Sequence, residues 1–128
     1  MGVLPVQPRR RHPQSEFATA RVRVFHREVM LFHCVYFWLK PGLTTEQRAD
    51  FQRGVESLAK IKAVTRIAIG GPAKTEARPV VDLSFDCALI VECRDVAAHD
   101  AYQVDPIHLA FVERCKGYWT RVQIYDSQ

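Results

Sequence analysis

Residues 30–39 read MLFHCVYFWL, a run of apolar and aromatic side chains broken by a single histidine and closed by Lys40-Pro41-Gly42. Its aromatic and β-branched content and its proline-glycine stop predict a strand. Side chains alternate across a strand, so one face carries Leu31, His33, Val35, Phe37 and Leu39, and the other carries Met30, Phe32, Cys34, Tyr36 and Trp38. Neither face is polar. A sheet built on this strand needs cover on both sides, helices on one and something else on the other.

The remaining segments say how much of that cover the chain itself supplies. Thr44-Thr45-Glu46-Gln47 has the spacing of a capping box, and Phe51, Val55 and Leu58 follow as one apolar stripe at helical spacing, which predicts a helix ending near Ile61. Residues 63–69 read as a second strand stopped by Gly70-Gly71-Pro72, and 73–82 as a loop. Residues 84–93 read as a third strand, with Cys87, Leu89, Val91 and Cys93 on one face. Asp95 caps a second helix that must break at Asp105-Pro106, because proline cannot continue the backbone ladder but suits the first position of a new helix. Residues 107–115 continue as a further helix, Gly117 ends it, and 118–125 form a last strand.

The order is βαββαβ with its second helix in two pieces. It predicts an α+β, ferredoxin-like domain: a four-stranded antiparallel sheet with helices on one face. The other face is left apolar and calls for a partner, most simply a second copy of the chain docked through the open sheet.

With 128 residues there is room for one such domain, taken here as 30–127, and for an N-terminal extension over 1–29. The extension holds six of the 18 basic residues and two of the 14 acidic ones through residue 28, which leaves the rest of the chain at net zero. The basic character therefore belongs to a segment containing Pro5, Pro8 and Pro13, expected to be flexible, and Met30 is the expected native start. A neutral folded body argues against nucleic-acid binding. No apolar run is long enough to cross a membrane, and the proline-interrupted start lacks the continuous apolar stretch of a secretory signal.

Cys34, Cys87, Cys93 and Cys115 show no C-x-x-C pairing and no zinc-type histidine spacing, so free thiols, no metal and a cytoplasmic setting are expected. No phosphate-binding glycine loop is present, and no cofactor is expected.

The chemistry-bearing residues gather at the helix break. His108 lies three residues after the expected N-cap Asp105, where the positive end of the helix dipole disfavours protonation. A neutral imidazole can take a proton from a carbon next to a carbonyl while the Tyr102 hydroxyl donates to the oxygen that becomes an enolate. Asp105 is expected to cap the His108 amide. Tyr102, His108 and His33 are expected to face one cavity between sheet and helices. The same residues also admit a plain reading, in which the tyrosine and histidine only hold the kink and His33 is a satisfied core histidine. His12, His26 and His99 receive no role.

The stretches HCVYF, FDCALIVEC, AYQVDPIHLAF and YWTRVQIYD, with Gly70 ending the second strand, resemble the stress-responsive A/B barrel domain family over about residues 30–127. The most specific element is Tyr102, Pro106 and His108, spaced Y-x-x-x-P-x-H, supported by His33 and Asp126. The resemblance implies a dimer in which two open sheets close into an α+β barrel. It also implies an unsettled function: some plant members are stable oligomers without an assigned reaction, whereas a plant polyketide cyclase of the family performs an aldol-type ring closure without a cofactor.

The cyclase's catalytic tyrosine and histidine match Tyr102 and His108, its first-strand pocket histidine matches His33, and its last-strand tryptophan matches Trp119. Val55, Gln52 and Cys87 stand where it has tyrosine, another aromatic and histidine, so the same substrate is not implied. The expected sites are thus His108 and Tyr102 as catalytic groups, with His33, Val35, Phe37, Val55, Cys87, Leu89 and Trp119 around a small apolar carbonyl ligand. The alternatives are a non-catalytic, stable dimeric protein and a cofactor-free oxygenase of the related barrel type.

Overall fold

The computed structural model describes residues 30–128, with Gly2 alone before them; the extension expected over 1–29 and the question of a start at Met30 lie outside the described residues. Strand β1 (Leu31–Leu39) is followed by helix α1 (Thr45–Ser57), strands β2 (Val64–Gly70) and β3 (Cys87–Cys93), helices α2 (Val96–Val104) and α3 (Pro106–Cys115), and strand β4 (Trp119–Ser127). The strands form one sheet in the order β2-β3-β1-β4, all neighbours antiparallel. This is the ferredoxin-like arrangement, with β1 and β3 at the centre.

The local chemistry explains each boundary. Thr44 Oγ1 accepts from the Gln47 amide at 3.1 Å while the Gln47 side chain accepts from the Thr44 amide at 2.8 Å, so both halves of the capping box are made. Asp95 caps α2 through the Ala98 amide. Pro106 sits in the first turn of α3, and Asp105 ends one helix and starts the next.

The third strand begins three residues later than the sequence pattern predicts. Ser84 is held in a local turn, with its amide and hydroxyl both bonded to the Asp82 carboxylate and its oxygen accepting from Trp38 Nε1. These contacts satisfy the backbone without the ladder, which starts at Cys87. The last strand runs on to Ser127, because β1 continues to offer partners as far as Phe32.

The inner sheet face and the helices enclose the core. Val35, Phe37, Leu89 and Val91 pack against Phe51, Val55, Leu58 and Phe111, all buried. Burying side chains of this kind stabilises by about 1.5–3 kcal/mol each before conformational entropy is charged. Helices α1 and α3 approach closely at Gly54: a Cβ there would meet Phe111 Cδ2 at 2.8 Å and Cys115 Sγ at 2.9 Å.

Beside that contact the buried Asp50 accepts from Arg114 Nε at 2.9 and 3.1 Å and from the Tyr118 hydroxyl at 2.8 Å. This ties α1 to the far end of α3. The Arg114 and Tyr118 hydrogen bonds hold the Asp50 carboxyl down to about 2.

Among the described residues, the helices cover one face only. On the other, Phe32, Cys34, Tyr36 and Trp38 of β1 stand beside Tyr125 of β4, with Phe32 and Tyr125 exposed and the other three partly so.

Candidate functional site

The site lies where the helix break meets the inner face of the sheet. The α2–α3 junction places Tyr102 in the last turn of one helix and His108 in the first turn of the next, with ring centroids 4.8 Å apart. His33 reaches the same place from β1, its ring edge-on to Tyr102 at 5.7 Å. All three line one cavity of about 170 Å³.

The walls divide the expected residues. Val35, Phe37, Leu89 and Trp119 line the cavity, as do Gln103, Val112 and Ile124, which the sequence pattern did not single out. Ile124 is identifiable in retrospect, because it pairs with Val35 and so shares its face. Val55 and Cys87 do not line it; both are buried in the core between sheet and helices. Burial pushes the Cys87 thiol up to about 11, so it stays protonated and serves as packing.

The electrostatics follow from burial. Tyr102 is 1% exposed, and desolvation raises its pKa far above the ordinary phenol value, so the hydroxyl keeps its proton and remains a donor. His108 is shifted down, first by desolvation, against an opposing pull from the Gln103 carbonyl. It is neutral near pH 7, with burial as the main cause. Its Nδ1 is buried and has no hydrogen-bond partner among the described residues. Such an orphaned atom is costly to bury and is uncommon in folded proteins.

Asp105 does not cap the His108 amide as expected. Its carboxylate accepts instead from the Ile107 amide at 2.8 Å, two residues on rather than three. The role is still structural: it fixes the turn that aims His108.

His33, only 3% exposed, is also lowered by desolvation, partly offset by Asp126, whose Oδ1 lies 2.5 Å from His33 Nδ1. The two are register partners across β1 and β4. A carboxylate can only accept, so Nδ1 carries the hydrogen in this pair. His99 of α2, given no role by the sequence, stacks at a tilt on His33 with centroids 4.8 Å apart.

Comparison with known proteins places this geometry in context. The family model for the Stress Responsive A/B Barrel Domain matches residues 31–128. A Dabb-family protein with a ferredoxin-like fold from Mesorhizobium loti superposes with a TM-score of 0.63 at 24% identity, covering 78% of this chain and 96% of its own. A dimeric ferredoxin-like protein from Thermobifida fusca gives 0.63 at 17% identity, covering 77% and 90%. The hydroxynitrile lyase of Passiflora edulis gives 0.62 at 17%, covering 77% and 92%. These likenesses carry the fold. No match is found among proteins of curated function.

Proposed function

We propose that this chain, which belongs to the stress responsive A/B barrel domain family, is a cofactor-free small-molecule enzyme or binding protein whose cavity takes a small, largely apolar carbonyl compound. His108 is the base and Tyr102 the hydrogen-bond donor. The observation that carries the reading is that Tyr102 and His108, with ring centroids 4.8 Å apart, line one cavity from the two sides of the helix break.

The division of labour follows from the two shifts. The neutral imidazole takes a proton from the carbon next to the carbonyl, the electron pair moves onto the carbonyl oxygen, and the Tyr102 hydroxyl hydrogen-bonds the enolate so formed. The protonated imidazole then returns the proton to the product. Phe37, Leu89 and Trp119 exclude water from the developing charge. The cavity is smaller than the roughly 300–1,000 Å³ of drug-sized pockets and comparable to the about 150 Å³ known to hold one benzene ring, so the ligand is compact. That a hydroxynitrile lyase shares the fold supports only that the fold admits small-molecule chemistry.

The reading includes a homodimer through the open sheet face. Its support is the exposed row of Phe32 and Tyr125, flanked by Cys34, Tyr36 and Trp38, on a face that the described helices leave bare. A second reading, a stable non-catalytic dimer in which the cavity is unused, draws on that same face.

An NMR titration with small ketones and aldehydes separates the two. Saturable shifts of the Trp119 indole and the His108 ring, lost in His108→Ala with the fold intact, are expected. No shift with any compound, or a His108→Ala variant that mainly loses melting temperature, overturns the first reading in favour of the second.

A further inference from the structure

Beside the His108–Tyr102 pair, three more groups come together from three separate elements. His33 stands on β1, Asp126 at the paired position on β4, and His99 on α2. One donor atom from each lies within 4.8 Å of the other two. Two imidazole nitrogens and one carboxylate oxygen make a donor set that suits zinc, cobalt or iron(II), and it suits magnesium or calcium poorly because those ions prefer all-oxygen surroundings. We infer that His33, His99 and Asp126 form a binding site for a divalent transition metal of the zinc class, with three protein ligands and the remaining coordination position open.

The required adjustment is small. Metal bonds of about 2.0–2.2 Å in a tetrahedral arrangement set ligand atoms roughly 3.4 Å apart. The His33–Asp126 pair at 2.5 Å therefore opens by about 1 Å, and the widest of the present separations closes by a little more than that. His33 is held by burial on the central strand. Movement falls to Asp126, whose side chain is 45% exposed, and to His99 on the rim of the cluster.

The cation takes the place of the hydrogen between His33 and Asp126. That ring hydrogen moves through solvent from Nδ1 to Nε2, so His33 stays neutral and no charge is lost from the site. His99 has an outer partner for either nitrogen, Gln103 Nε2 at 3.1 Å from its Nε2 and Asp100 Oδ1 at 3.5 Å from its Nδ1. The nitrogen that does not bind the metal carries the ring hydrogen and donates it outward: Nδ1–H to Asp100 Oδ1, or Nε2–H to Gln103 once that amide turns its Oε1 toward the ring, the usual arrangement behind a metal-bound imidazole.

His33 also lines the His108–Tyr102 cavity, but the proton transfer assigned to that pair needs no metal; the test therefore uses the full chain and Co²⁺ alone, with no carbonyl compound, so that its failure leaves that reading standing. Visible absorption should report one equivalent of Co²⁺ in a four- or five-coordinate site, displaced by Zn²⁺. His99→Ala and Asp126→Asn should each weaken binding by about tenfold or more, and Cys34→Ser and the double variant His12→Ala/His26→Ala should leave it unchanged. Asp126→Asn keeps the shape of its side chain, so it retains the test if His99→Ala fails to fold. Absence of Co²⁺ binding, unchanged affinity in Asp126→Asn, or a thiolate charge-transfer band overturns the assignment.

Discussion

Replacing His108 by leucine should not destabilise the protein, which is the opposite of what a structural histidine predicts. The buried Nδ1 has no partner among the described residues, and an unsatisfied buried polar atom costs about 1–3 kcal/mol. Leucine is apolar and close in volume, so the swap removes that cost with little repacking. Repacking around such a volume-conserving swap costs less than about 1.5 kcal/mol. The expected balance is a stability unchanged or raised by about 1 kcal/mol, or roughly 4–8 °C in Tm for a folded body of this size.

Equilibrium urea unfolding with an unchanged m-value, and a thermal scan at fixed protein concentration, measure it. Ligand binding should be lost in the same variant. A drop of more than about 1 kcal/mol would refute the reasoning, because it would show that His108 holds the helix break together through contacts worth more than its orphaned atom costs.

Three further outcomes are expected. Gly54→Ala should destabilise: alanine gains about 1 kcal/mol in a helix, but the clash with Phe111 and Cys115 costs about 1–3 kcal/mol, and a stabilised variant in urea unfolding would show that α1 and α3 separate freely. The Asp50 cluster should contribute stability in full above about pH 4, the ordinary carboxylate range, and lose it as pH falls toward about 2; acid unfolding of Asp50→Asn should lack this component, and identical profiles for variant and parent would contradict the assignment. Phe32→Glu with Tyr125→Glu should convert a dimer to a monomer in light scattering with the fold retained, and a dimer that survives both charges would place the interface elsewhere.

Some of this was legible in the sequence because it is local. The two-faced strand at 30–39, the capping box at Thr44 and Gln47, and the break at Asp105-Pro106 are each decided within a few residues, and each stands where the pattern predicts. The start of β3 was missed because the Asp82–Ser84 turn satisfies the backbone where alternation alone would continue a strand. Long-range chemistry was hidden for a different reason. Asp50 meets Arg114 and Tyr118 only through the packing of α1 on α3, and His33 meets His99 and Asp126 only through the sheet register and the docking of α2. No spacing within one segment announces such groups, so metal-type patterns are absent from a sequence whose fold brings two imidazoles and a carboxylate together.

The central claim is that His108 acts as a base on a carbonyl compound in the Tyr102 cavity. The most direct measurement is deuterium incorporation next to the carbonyl of a small ketone in D2O, followed by NMR with the full-length protein and with His108→Ala. The account predicts exchange accelerated over buffer by about 10²–10⁴-fold, the range of general-base catalysis, and abolished in the variant while its fold persists. Exchange at the buffer rate with every ketone tried, or equal acceleration by His108→Ala, would contradict it.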